Sequence, residues 1–218
     1  MVKQVVSSQK HPGLVALCEA LVGIGFKKRA GTTFTMDLND DALGWLGLNR
    51  ASRAGAPGEL NMNPVCGVRI QSLERSLVEI EGESFHKYIP ATVSEPLRYL
   101  VPIEHRMDWI LTRENPETND EVIANILTSL ESYGLPYMRK RATLEAMSQA
   151  LVAKEGHRWQ TVFRAPVALW LLNRDEEALS AIEAQLTEIG SQENAAYDNY
   201  RAFASTLKRR IAESAALP

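Results

Sequence analysis

The residues best equipped for chemistry in this 218-residue chain are few and scattered. His11, His86, His105 and His157 do not stand four apart on any helix or within an HExxH run, so no sequence spacing offers paired imidazoles to a metal. Glu104, His105 and Asp108 fall together in EHRMD and are residue types of proton transfer. In a chain that is 23% charged such a cluster arises by chance, and the favoured reading is a solvated turn. Cys66 and His86 have the chemistry of a nucleophile and its base, but Cys66 sits in an apolar strand alternation that predicts a buried, inert thiol. Cys18, on an apolar helix stripe, is expected to be buried and inert as well. No serine occupies a GxSxG elbow. No catalytic residue, metal ligand or cofactor is therefore assigned, and the protein is expected not to be an enzyme.

The densest basic segment is GFKKRAGTTF, residues 25–34. A phosphate-binding loop needs glycines before its lysine and must lead into a helix, where backbone N–H groups face the anion. Here no glycine stands directly before a lysine followed by Ser or Thr, and the segment leaves a helix to enter a strand. The favoured reading is a helix C-cap, with Lys27, Lys28 and Arg29 complementing the negative end of the dipole. The alternative is an enzyme or binding protein for an anionic or phosphorylated small molecule, held by Lys27, Lys28, Arg29 and Arg69.

The elements around these residues follow from periodicity. Leu14, Leu17, Cys18, Leu21 and Val22 form the stripe of an amphipathic helix over 12–24, ended by Gly23 and Gly25. Alternation then predicts strands at Phe34–Leu38, near Leu43–Asn49 and around Cys66–Ile70, the last with Gly67, Arg69 and Gln71 on the opposite face. The turn NDD separates the first two, and the Gly/Pro/Asn-rich residues 53–64 predict a mobile loop. A short helix is expected over Leu73–Ile80, an edge strand near Leu97–Val101, and a strand at Trp109–Leu111. Beyond Asn115 the pattern is helical: a capping box of Thr118 and Glu121, a break at Gly134 and Pro136, then helices over Met138–Ala153, Trp159–Leu172, Asp175–Ile189 and Asn194–Ser214, with Asp175 and Ser191 as N-caps. The stretch 165–186 is similar to one tetratricopeptide-type hairpin, but no second copy follows at the required period.

The expected fold is α+β, with a small antiparallel sheet and N-terminal helix in residues 1–114 and a helical region in 115–218, packed as one unit. A formal charge of -3 argues against nucleic acid as a partner. No run approaches the roughly 20 apolar residues of a membrane span, and the first residues lack signal-peptide features, so a cytoplasmic location is expected.

With catalysis unsupported, the interface residues carry the functional reading. Trp109 and Trp170 are expected in the core. Trp45, Arg50, Arg53, Glu59 and Met62 are the expected partner-binding set, since aromatic residues and arginine dominate interface hot spots; the alternative for Trp45 is inward packing over the first helix.

The order helix, GFKK, GTTF opening a strand, then a sheet with a tryptophan resembles a bacterial domain-of-unknown-function type with a GFKKxGxxF-like junction, matched here by Gly25, Phe26, Lys27, Lys28, Gly31 and Phe34. Some proteins of this type are immunity proteins that neutralise toxins. The resemblance implies a protein-binding inhibitor that occludes a toxin's active site, and it brings no catalytic residues.

Overall fold

Pro12 opens the first helix, α1 (Pro12–Gly23), at a position where its missing N–H costs nothing. The helix closes in a Schellman arrangement: Phe26 N–H donates to Leu21 O at 3.1 Å and Gly25 N–H to Val22 O at 3.0 Å. Gly25 holds φ 98°, a left-handed angle that suits glycine, and the flanking Leu21 and Phe26 are buried. The C-cap expected of GFKKRAGTTF is thus present. The last turn of α1 itself carries no basic residue, and the cations of the segment follow the cap. Lys27 and Lys28 instead form a short strand, β1 (Lys27–Lys28), paired antiparallel with β2 (Thr33–Asp37) in the register Lys27 to Thr35 and Lys28 to Phe34.

The computed structural model describes residues 11–50, 56–113, 115–155 and 158–215. Two long strands follow β2, β3 (Ala42–Arg50) and β4 (Glu59–Ile70), and then α2 (Gln71–Glu81), β5 (Val93–Pro96), α3 (Leu97–Leu100) and β6 (Ile110–Thr112). The sheet order is β1-β2-β3-β4-β5, with β6 antiparallel to the start of β4, Glu59 opposite Thr112. Helices complete the chain: α4 (Pro116–Ser129), a π-turn at Leu130–Gly134, α5 (Leu135–Lys140), α6 (Leu144–Val152), α7 (Arg158–Leu171), α8 (Asp175–Ile189) and α9 (Ala195–Ala215). This is an α+β fold, as expected.

Several local expectations are corrected. Residues 59–64 are strand, not loop: β6 supplies the partner that their Asn- and Pro-rich sequence did not advertise, and Met62 N–H donates to Trp109 O at 2.7 Å. The expected edge strand at 97–101 is a helical turn, with the strand displaced to 93–96. Thr118 does not cap α4, because the helix begins earlier at Pro116 and the Thr118 hydroxyl donates to Asn115 O at 2.8 Å. Gly134 and Pro136 do not end the helical run. The π-turn widens the backbone just before Pro136, so the N–H that proline lacks is not missed. The break falls later, where Thr143 Oγ1 accepts from Ala146 N and caps α6. Asn194, rather than Ser191, takes the capping role before α9 by accepting from Tyr197 N. Asp175 is the first helical residue of α8 and Arg174 its N-cap.

The chain divides into two compact units that do not part at 114/115: residues 1–36, 46–65 and 96–136 form the first, and residues 37–45, 66–95 and 137–218 the second. In the first, α1 packs on α4 and β6, burying Leu17, Leu21, Phe34, Leu111 and Ile126. Asn119 of α4 pins this arrangement. Its side chain accepts from Thr112 N and donates to Thr112 O, each at 2.8 Å, and Gly13 lies so close that a Cβ there would stand 2.9 Å from the Asn119 amide nitrogen.

The second unit is built around α2, α7, α8 and α9, whose apolar faces meet at Leu77, Ile80, Val167, Ile182, Phe203 and Leu207. Phe163 stands edge-on to both Tyr200 and Phe203. The start of α2 is capped from a distance: the Asp41 carboxylate accepts from Ser72 N at 2.8 Å and from the Ser72 hydroxyl at 2.6 Å. Inside this unit lies an ionic cluster. Glu74, 1% exposed, receives two bonds from Arg164 at 2.7 and 2.9 Å, and the guanidinium of Arg69, also 1% exposed, lies 3.4 Å away. Arg69 also donates to the carbonyls of His86, Lys87 and Pro90, tying down a stretch with no regular structure.

Tyr137, also of the second unit, carries the Arg141 guanidinium 3.9 Å above its ring. Burial pushes its phenol up to about 12. An unfolded tyrosine ionises near pH 10, so between about pH 10 and 12 the unfolded chain binds fewer protons and stability falls as pH rises. The expected loss from this residue is about 2–3 kcal/mol across that window, with no contribution below it. Urea unfolding at pH 9 and pH 11.5 should show a shallower loss in Tyr137→Phe than in the parent; equal losses would refute the assignment.

A candidate binding cleft on the first unit

The first unit contains a cleft of about 1110 Å³. One wall is α1, which contributes His11, Leu14, Val15, Cys18, Glu19 and Val22. Of these, Leu14, Val15, Cys18 and Val22 extend the apolar surface beyond the buried Leu17 and Leu21, so α1 is apolar over much of its circumference. Val15 is 38% and Val22 53% exposed, large aliphatic areas to leave open to water. The opposite side comes from the β1–β2 turn, the end of β3 and the start of β4, through Lys28, Gly31, Thr32, Arg50, Gly58, Glu59 and Leu60, with Arg113 following β6.

Polar groups at the cleft are held by local geometry. The His11 ring bonds Gly58 O at 2.9 Å through Nε2. A carbonyl only accepts, so Nε2 carries the hydrogen, and Nδ1 is buried without a partner. Lys28 Nζ sits 5.9 Å from the Phe34 ring centroid. Glu59 accepts from Ala56 N at 2.9 Å, which fixes the turn into β4. Three cations, Lys28, Arg50 and Arg113, thus share the cleft with two carboxylates, Glu19 and Glu59. An apolar wall with a net positive polar rim suits a ligand that is apolar on one side and acidic on the other.

The expected site residues are redistributed. Arg50 and Glu59 of the partner-binding set and Lys28 of the anion-binding set come together in this cleft. Lys27, next to Lys28 on a strand, projects to the other face and does not line it. Arg29 is committed to its own hairpin, with its Nε donating to Thr35 Oγ1 at 2.8 Å. Arg69 is a correction: it is buried in the second unit on Glu74 and three carbonyls, which leaves it no role as a surface anion ligand. Met62 is a correction of the same kind, at 3% exposure, because the face of β4 it occupies is turned to the core.

Trp45 belongs to the second unit and is half-buried, with its indole N–H enclosed and without a hydrogen-bond partner. Its separation of five residues from Arg50 along β3 also puts the two side chains on opposite faces of the strand. Arg53 lies outside the described residues, as does His157.

Cys66 is buried and burial pushes its thiol up, matching the inert reading, whereas Cys18 is only half-buried and lines the cleft. His86 is not a base for Cys66: its Nδ1 accepts from the backbone N–H groups of Tyr88 and Ile89. Asp108 pairs with Arg98 at 2.6 Å on the surface, and Glu104 and His105 lie in an exposed 3₁₀ turn. Trp109 is buried, with its indole N–H donating to Asn125 Oδ1 at 2.8 Å, while Trp170 is half-buried. Among the described residues no group of three or more His, Cys, Asp or Glu side chains is placed to hold a metal ion, and no helix is long and apolar enough to cross a membrane.

The periodicity places Leu14, Cys18 and Val22 in one buried stripe with Leu17 and Leu21, which hides the α1 side of the cleft. The available signal was width: at about 100° per residue, Val15 and Val22 stand about 100° or more around the helix from both Leu17 and Leu21. No family model, curated protein or solved structure matches the chain.

Proposed function

We propose that this protein acts by binding rather than by catalysis, and that the cleft of the first unit is its binding site. The observation that carries the reading is the gathering of Arg50, Glu59 and Lys28 around the uncovered Val15 and Val22. Exposed aliphatic side chains ringed by charge are the makings of a protein interface, with an apolar centre and a polar rim. The partner class is a protein, and the resemblance of the GFKKRAGTTF junction suggests a bacterial toxin held inactive in the cytoplasm.

The test is Val22→Arg, which places a charge in the apolar wall at a half-exposed position. Affinity for a partner identified by co-purification should fall about tenfold or more, with the melting temperature nearly unchanged. Full affinity in this variant would remove the cleft as the contact. A second reading, an anionic small molecule, is favoured by the presence of Lys28 beside Arg50 and Arg113 in one cavity. It requires that a phosphorylated or carboxylated metabolite raise the melting temperature, and that Lys28→Glu abolish the rise.

A further inference from the structure

We infer that the cleft receives one face of an acidic amphipathic helix, about two turns of it, laid alongside α1. The inference rests on the cleft being the binding site and specifies what occupies it. Dimensions come first. From Leu14 to Val22 the α1 wall runs roughly 12 Å at 1.5 Å per residue, and two turns of a facing helix are about 11 Å long. A helix about 10 Å across and of that length fills roughly 900 Å³, which the 1110 Å³ cleft accommodates. Pockets for small ligands are generally about 300–1,000 Å³, so this one is ample for a peptide element and loose for a metabolite.

Chemistry comes second. The α1 wall presents Val15, Cys18 and Val22 in a helical row, the surface that an i, i+3/i+4, i+7 face of a second helix packs against. Lys28, Arg50 and Arg113 stand beyond that row, so acidic side chains flanking the partner's apolar face would meet them. Glu19 and Glu59 in the same cleft repel carboxylates placed beside them, so the acidic side chains of the partner must fall on the side of the three cations, which outnumber the two carboxylates.

The experiment selects binders to the full chain from a displayed library of helix-forming 14-residue peptides, then measures each against the parent, Arg50→Glu, Val22→Arg and, as a control on the other face of β1, Lys27→Glu. Sodium dodecanoate is tested in parallel as an aliphatic acid. The inference expects peptides with acidic residues beside an i, i+3/i+4, i+7 apolar pattern, helical when bound, and about tenfold or more weaker on Arg50→Glu and on Val22→Arg but not on Lys27→Glu. Basic or extended binders that still fail on both cleft variants would overturn the helix and leave the cleft as a binding site. A melting-temperature rise with dodecanoate, lost in Arg50→Glu and unaccompanied by helical binders, would also overturn the helix and assign the cleft to an aliphatic acid. Binders indifferent to both cleft variants, or no binder and no dodecanoate effect, would overturn the cleft and the helix together.

Discussion

Glu74→Ala is expected to cost about 3–5 kcal/mol of stability, enough to remove much of what a domain of this size possesses. Glu74 is the carboxylate between two buried guanidinium groups, receiving two bonds from Arg164 and lying 3.4 Å from Arg69. Its removal leaves two like charges in a region where both arginines are more than nine-tenths buried. Burial already lowers the proton affinity of Arg69, and Glu74 opposes that effect. Glu74→Gln should cost less than alanine, since the amide retains an acceptor for Arg164, but more than an exposed substitution because the charge is gone. Guanidinium chloride unfolding of the three proteins gives the order directly. A loss below about 1 kcal/mol for the alanine variant would show that water reaches the arginines and that the cluster is not closed.

The second large effect is expected at Gly67. A Cβ added there would stand 2.7 Å from Val93 O and 2.8 Å from Ala91 Cβ, and the first of these neighbours is backbone. The backbone cannot rotate away as a side-chain tip would, and the 91–93 segment is itself tied to β4 by Thr92 N–H to Val68 O and by Ile70 N–H to Thr92 Oγ1. Gly67→Ala should therefore cost about 1–3 kcal/mol and Gly67→Val more, through overpacking. The midpoint of unfolding measures both. A neutral Gly67→Val would mean that β5 can leave β4 without consequence.

How much of this was legible beforehand depended on whether a residue's surroundings are local. The period of α1 and its glycine cap are local, and they lie where the sequence placed them. So do β2, β3, α2 and the last three helices. Arg69 was not legible. An arginine alternating with apolar residues on a strand reads as solvent-facing, and only the chain from Glu74 to Pro90, with Arg164 arriving from α7, converts that face into interior. Gly67 shares that face and is buried with it. The start of β4 was hidden because Asn61, Asn63 and Pro64 are poor strand formers made acceptable by β6, some fifty residues on. The cleft draws on α1, both flanks of a hairpin, two strand ends and Arg113, and no window of sequence contains that set.

The carbonyl bonds of Arg69 have one further consequence, for cooperativity. Residues 86–90 lack helix or strand hydrogen bonds and by that measure belong with segments that open independently of the core. Their carbonyls are fastened to a guanidinium that is itself fastened to α2, and through Glu74 to α7, so freeing them exposes buried charge. The stretch is irregular in shape and yet is expected to unfold with the helices it touches. In amide exchange, the N–H groups of Tyr88 and Ile89 would then follow the opening of that core rather than the fraying of a loop.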